Sequence, residues 1–360
     1  MLLLAAASRA QQNDMFNVYL RIDYASAEKT LELYRGLGGR PADIAALRGS
    51  QIALSTTAFL AQRPLDTPEL EEALESVKFN QGLGDDVFRM HDARANVAAI
   101  SELLAEAQKR NFGQKVVSTV AQLFPSDARV STMIPIYFVA FGHQNIDAFV
   151  RRVVWRGDTP SFTGEGQGEL TIVVNLAKCV NYGRSVDERF IGMLSVVAHE
   201  VFHAAFGVYK DGSSVWKDYY ASHRTPFDQL LDLSHNEGIA YYLTLIQSSR
   251  GRLPADGLER ARHSFEDFNR NAAELLAPGT TFRRSEDIIR LSNTSGYWEN
   301  YGAITGMIIA RQIDQALGRQ ALSETIARGP SDFFGKYADL MKRDGNIPVL
   351  SGAIIQSATR

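Results

Sequence analysis

The chain of 360 residues contains one cysteine, Cys179. No intrachain disulfide can form and no all-cysteine zinc or iron–sulfur site can be built, so any metal must be held by histidines and carboxylates. Positive charge is not in excess either. The 38 Lys and Arg against 41 Asp and Glu leave a net charge of −3 and a pI near 6.2, so there is no bulk field to gather phosphates and nucleic acid is not an expected partner. No stretch approaches the ~18 consecutive apolar residues of a membrane span. The nearest, Met133 to Gly142, is short and interrupted by Pro135, and no transmembrane segment is expected. With 28 Gly and 11 Pro, 45% hydrophobic and 22% charged residues, the composition excludes collagenous, low-complexity and disordered classes. At ~150 residues per domain, the length suits one large or two modest domains.

What is present begins with an apolar run, Met1 to Ala7, and the small-x-small triplet Ser8-Arg9-Ala10. This reads as an export signal over residues 1–10 and predicts a periplasmic or secreted protein, with the cytoplasm as the alternative if the run is not a signal. An N-terminal helical region, 11–130, follows. Ala25 to Arg35 ends at Gly36, Gly38 and Gly39, the usual helix stop, and Pro41 opens the next turn. Asp92 to Arg110 carries Val97, Ile100, Leu103, Leu104 and Ala107 on one stripe, and Phe112 to Phe124 follows with Val116, Val117, Val120 and Leu123.

The character changes after Pro125. Thr132 to Phe141 and Glu169 to Leu176 are β-branched and aromatic runs that predict two strands, separated by a loop in the Gly-rich stretch Gly157 to Gly168. From Ser185 the pattern is helical again, with loops expected around Lys210 to Pro226, Gly251 to Gly257 and Pro278 to Thr281 and breaks at Gly318 and Gly329-Pro330. Residues 131–250 are assigned to a core and 251–360 to a C-terminal helical region packed on it.

The chemistry is carried by His199-Glu200-Val201-Phe202-His203, an H-E-x-x-H pattern inside an apolar segment. At about 100° per residue, His199 and His203 share one helix face a turn apart and can reach one tetrahedral Zn²⁺. Glu200 is turned aside, placed to act as general base on water without ligating the metal. Ser185 and Glu188 fit a capping box at the helix start, and Gly207 is placed as a stop. Three polar side chains in the middle of an apolar helix are costly unless paired or coordinating.

Zinc needs a third protein ligand and an open position for water. The metzincin continuation requires Gly at 206 and His at 209, where this chain has Phe206 and Tyr209. The next candidate is Glu237, in Ser234-His235-Asn236-Glu237-Gly238-Ile239-Ala240, where Gly238 would let its helix approach the motif helix. Ser234-x-x-Glu237 also reads as a capping box that coordinates nothing. His235 is the rival ligand, because residues two apart on a helix point about 200° apart and cannot face one metal together. His91, His143, His223 and His263 have no partners at ligand spacing, and Cys179 reads as a small buried hydrophobe.

These residues resemble the gluzincin class of zinc metallopeptidases, in which a helical H-E-x-x-H is completed by a Glu on a following helix. Asn236-Glu237-Gly238-Ile239-Ala240 is similar to the N-E-G-x-A segment of the aminopeptidase N family, although no G-x-M-E-N segment, which reads a free N-terminus there, precedes the motif. The whole chain resembles uncharacterised, exported, helix-rich bacterial zinc-dependent peptidases. The resemblance implies His199, His203 and Glu237 as ligands of one Zn²⁺ per chain and Glu200 as the base. In the aminopeptidase family a downstream Tyr supports the oxyanion, which here implies Tyr301 or Tyr297. Gluzincins also place an edge strand before the motif helix that pairs with extended substrate, a role open to Glu169–Leu176 beside that of an ordinary sheet strand. The expected fold is α+β and predominantly α-helical, with a zincin-like core, a small β-sheet and a helical C-terminal part. The expected function is hydrolysis of peptide or protein substrates. Competing readings are a catalytically inactive helical binding protein with a structural or absent metal, and a zinc hydrolase acting on a non-peptide ester or amide.

Overall fold

The computed structural model describes residues 16–81, 85–163, 167–293 and 297–359. The expected signal segment, residues 1–10, lies outside them. Extended, β-branched segments form β1 (Phe16–Asp23), β2 (Val130–Val139), β3 (Ala148–Arg156), β4 (Thr159–Thr163) and β5 (Glu169–Asn175), and one sheet joins them in the order β1-β2-β5-β3-β4. The other regular elements are helices: α1 (Ala25–Tyr34), α2 (Pro41–Ala45), α3 (Arg48–Ala61), α4 (Thr67–Lys78), α5 (Met90–Ala95), α6 (Val97–Lys109), α7 (Phe112–Ala121), α8 (Leu176–Cys179) and α9 (Val186–Gly212). Then come α10 (Ser214–Ser222), α11 (Pro226–Ser249), α12 (Gly257–Leu276), α13 (Phe282–Asn293), α14 (Tyr301–Leu317), α15 (Arg319–Arg328), α16 (Pro330–Arg343) and α17 (Gly352–Ala358). The fold is α+β and predominantly helical, as expected.

Two compact units divide the chain. One comprises residues 18–118 and 132–204, the other residues 119–131 and 205–360 with Phe16 and Asn17. The first holds nearly all of the sheet. β2 and β5 run parallel, with Phe138 opposite Val174, and β3 is antiparallel to both β5 and β4. Ile136, Phe138, Ile172 and Val174 on one face and Tyr137, Val139 and Val173 on the other are all buried, the pattern of strands covered on both faces. On one face Phe138 meets Phe112 of α7 at 5.5 Å, and Phe112 meets Phe190 of α9 at 6.0 Å between ring centroids. On the other face α3 lies close because Gly49 has no side chain. A Cβ there would stand 2.5 Å from Ser26 Oγ and 3.4 Å from Tyr137 Cβ.

In the second unit Thr225 caps α11: its hydroxyl accepts from the Asp228 amide, the Asp228 carboxylate accepts from the Thr225 amide, and Pro226 occupies the first turn. The core beneath holds Trp216, Phe265, Phe268, Phe333, Phe334 and Tyr337, each worth about 1.5–3 kcal/mol in burial or more. α11 and α14 cross almost backbone on backbone. A Cβ on Gly306 would lie 1.8 Å from the Ser234 carbonyl oxygen, and one on Gly238 would lie 2.3 Å from the Gly306 carbonyl carbon.

Several expectations need correction. Five strands form where two were read: β1 lies inside a segment taken as helical, and β4 lies inside the expected loop 157–168. β5 sits between β2 and β3 with both edges paired, so it is an ordinary interior strand and no extended substrate can add to it. Asp92 to Arg110 is not one helix, since Asn96 separates α5 from α6. α9 does not stop at Gly207 but runs to Gly212, and α10 occupies the expected loop from Lys210 to Pro226. Gly238 is needed for contact with Gly306 of α14, not with the motif helix. By length and composition α9 is apolar enough to cross a membrane, and just over half of its apolar window is buried within the structure.

The glycine crossing yields a first prediction. Gly306→Ala should cost at least about 2 kcal/mol through overpacking. Gly207→Ala, where a Cβ meets nothing within 4 Å, should be neutral or gain up to about 1 kcal/mol from helix propensity. Urea denaturation of both variants decides it, and an unchanged midpoint for Gly306→Ala would refute the crossing.

Candidate functional site

α9 starts where the sequence says it should. The Ser185 hydroxyl accepts from the Glu188 amide at 3.3 Å, and the Glu188 carboxylate accepts from the Ser185 amide at 3.0 Å and the Arg184 amide at 2.8 Å. These bonds hold the Glu188 carboxyl below its usual range. Downstream, Val197, Ala198, Val201, Phe202, Ala204 and Ala205 are buried, while His199, Glu200 and His203 form a half-buried polar stripe. The two imidazoles turn their Nε2 atoms toward one another, 2.9 Å apart, with ring centroids at 4.6 Å and planes at 81°.

Glu237 lies in the middle of α11, half-buried. One ligand atom from each of His199, His203 and Glu237 can be chosen so that all three lie within 4.8 Å of one another. The edge of a tetrahedron with zinc–ligand bonds of ~2.0–2.1 Å is about 3.3 Å; the imidazole pair, at 2.9 Å, is slightly inside that length. Two imidazoles and one carboxylate form a donor set that suits a catalytic zinc with one position left for water or substrate. This cluster could hold a metal ion.

The alternatives at the third position fall to geometry. Ser234 is not a helix cap, because α11 begins eight residues earlier at Pro226 and Ser234 is buried in its middle. His235 is fully buried and stacks on Trp216, with centroids 6.0 Å apart and planes at 9°. Phe206 and Phe333 pack against the ring at 5.7 and 4.6 Å, and its Nε2 lies 3.2 Å from Thr325 Oγ1. Burial, and secondarily the Lys210 charge, push its pKa well below the ordinary value. It is a neutral core histidine.

Glu200 has charged and polar company that spacing did not reveal. Arg151 lies over the Phe149 ring at 4.2 Å and the Phe59 ring at 5.1 Å. Burial lowers its pKa, and the Glu200 carboxylate works in the opposite direction. Tyr182 donates a hydrogen bond to the Asp147 carboxylate. Burial raises its pKa far above normal, with smaller contributions from Cys179, Asp147 and Glu200. Cys179 itself is fully buried, as expected.

The two expected oxyanion donors fare differently from the ligands. Tyr301 is 6% exposed and its hydroxyl donates to the Ile288 carbonyl at 2.7 Å. Its proton fastens α14 to α13 and does not favour a catalytic part. Tyr297 opens a short 3-10 turn, 297–299, and its side chain lies outside the described residues. A phenol not singled out from the sequence is Tyr241, one turn beyond Glu237 on α11, whose oxygen accepts from Asn300 Nδ2 at 2.7 Å.

Comparison with known proteins agrees with this geometry at the level of family. A family model described as "Putative zinc dependent peptidase (DUF5700)" matches residues 43–346. No curated protein matches the chain, and no solved structure does. The matched region takes in most of the chain, including α9 and the Glu237 segment of α11, and the chain belongs to this family.

Proposed function

We propose that the protein is a mononuclear zinc peptidase of the gluzincin type, exported and acting on peptide or protein substrates. The observation that carries this reading is the convergence of His199, His203 and Glu237 within 4.8 Å, with Glu200 beside His199 on a rigid helix. His199, His203 and Glu237 would hold one Zn²⁺. When bound, the ion supplies Lewis acidity that lowers the pKa of water and polarises a carbonyl.

The remaining chemistry belongs to the chain. Because Glu200 follows His199 directly, its carboxylate is turned by about 100° from that ligand's direction on the helix and has no need to ligate. It accepts the proton of the attacking water as the water oxygen bonds to the scissile carbonyl carbon. It returns that proton to the leaving nitrogen as the C–N bond breaks. The half-buried setting strengthens its interactions, and Arg151 sets a positive charge in the same field. Tyr301 is given no part, since its hydroxyl is taken by the Ile288 carbonyl.

Two predictions test the assignments. Glu200→Gln should keep one zinc per chain by elemental analysis and lose casein hydrolysis by about 10²- to 10⁴-fold; unchanged hydrolysis would remove Glu200 as the base. Glu237→Ala should lose zinc, whereas His235→Ala should retain it while losing stability, because it empties a site packed by Trp216, Phe206 and Phe333. The reverse pattern of metal content would transfer the third-ligand role to His235.

A further inference from the structure

A half-buried charge calls for a group that answers it, and Arg151 of β3 lacks the usual one. Alternation along β3 puts Phe149, Arg151 and Val153 on one face of the sheet. Phe162 of β4 lies opposite Val153 and shares that face. Phe59 of α3 closes over them, 6.1 Å from the Phe149 ring and 6.1 Å from the Phe162 ring, and those two rings stand 6.4 Å apart. The Arg151 guanidinium carbon sits 4.2 Å from the centre of Phe149 and 5.1 Å from that of Phe59. These residues and Glu200 all belong to the first of the two units.

Aromatic faces hold a cation by its charge and leave its N–H donors unused. Among the described residues, Arg151 makes one long hydrogen bond, from Nη1 to the Val150 carbonyl at 3.4 Å, and has no ion-pair partner. A guanidinium carries five N–H donors in a rigid fork, so most of them have no protein acceptor there. Arg319, also half-buried, shows the usual arrangement: its Nε and Nη2 donate to the two oxygens of Asp314 at 2.9 and 2.6 Å.

A positive charge set on rings, with part of its water removed and its fork open, is complementary to a carboxylate, which accepts two parallel N–H bonds and brings the opposite charge. A peptide carbonyl brings one acceptor and no charge. Phe59, 52% exposed, gives the carbon chain that carries such a carboxylate an apolar flank. The Glu200 charge acts on Arg151. With a screening length of about 10 Å and a rise of about 3.3 Å per extended residue, a carboxylate held by Arg151 falls within about three residues of the scissile bond.

We propose that Arg151, seated on Phe59 and Phe149 beside Phe162, is the specificity-determining residue of the site and binds a carboxylate of the substrate peptide. The assignment rests on the zinc-peptidase reading given above and gives it a substrate class. An Asp or Glu side chain and a free C-terminus share this chemistry, and the test tells them apart.

The test uses the full-length, zinc-loaded protein. Mass spectrometry of casein digests locates a preferred bond, and its sequence is made as three peptides. One carries Glu within about three residues of that bond and an amidated C-terminus, the second has Gln in place of Glu, and the third is the Gln peptide shortened to a free carboxylate within the same reach. Wild type should cleave a carboxylate peptide with kcat/KM about 10- to 100-fold above the Gln amide, and the favoured peptide identifies the source of the carboxylate. Arg151→Gln should shrink that ratio to within about threefold, and Arg151→Glu should favour a Lys peptide over the Glu peptide, a reversal that loss of packing cannot produce. In the Glu200→Gln protein, calorimetry should show tighter binding of the carboxylate peptide, a difference lost when Arg151→Gln is added. Wild-type protein that cleaves all three peptides alike, or Arg151→Gln that keeps the wild-type ratio, overturns this assignment and leaves the peptidase reading standing. Wild-type protein that hydrolyses no peptide overturns both.

Discussion

The candidate site depends on a contact between two backbones. Gly238 and Gly306 meet where α11 crosses α14, and neither position has room for a methyl group. Ser234 and Gly302 continue the same small-residue seam, with a Cβ on Gly302 falling 3.0 Å from the Ser234 hydroxyl. Glu237 is bonded directly to Gly238, so the crossing that sets the helix axis also sets where the carboxylate points. The same crossing brings the start of α14 to α11, and with it the Asn300 amide to the Tyr241 oxygen. Close backbone packing is unforgiving in the way a hydrophobic contact is not: a side-chain interface can repack, whereas two glycine backbones in contact have no rotamer to change. A site held by such a seam is stiff by construction, which is what metal ligation at fixed distances requires.

The imidazole pair poses the complementary problem. Two Nε2 atoms at 2.9 Å cannot both present a lone pair to the other without repulsion. Either one carries a proton and donates to its neighbour, or both lone pairs point at a shared cation. The first arrangement satisfies two half-buried nitrogens on an otherwise apolar helix at modest gain. The second uses both lone pairs and also the charge of Glu237, which lies within the same 4.8 Å cluster. The carboxylate therefore matters beyond counting ligands: it brings to the cluster a negative charge that two neutral imidazoles lack.

Legibility followed sequence distance. The motif and its helix start were readable because every interaction involved, Ser185 with Glu188 and His199 with His203, spans three or four residues. The α1 stop near Gly36 and the breaks at Gly318 and Gly329 were readable for the same reason, since positive φ at those glycines is a local property. The extent of α9 was not, because nothing at Gly207 forces an end and the turns beyond it are held by Phe206 and Lys210 against Trp216. β1 and β4 escaped because a short strand takes its hydrogen bonds from partners far along the chain. β4 is defined by Phe162 lying opposite Val153, not by its own composition. Glu237 was found by its neighbours in sequence, but the reason attached to Gly238 was wrong: the glycine serves α14, a partner 68 residues away.

The tyrosines show the same limit at the level of chemistry. From sequence, a Tyr well downstream of the ligand glutamate was the natural oxyanion donor, and Tyr301 stands at such a distance. What decides the matter is where a proton goes, and that depends on a carbonyl from another helix: Ile288 captures the Tyr301 hydroxyl. Tyr241 and Tyr242 are adjacent and identical in type, yet a helix turns neighbouring residues about 100° apart. One faces Asp314 and surrenders its proton to a carboxylate; the other faces Asn300 and receives one. Which of two adjacent phenols donates and which accepts is set by the side chains each one faces, and no residue preference along the chain encodes that difference.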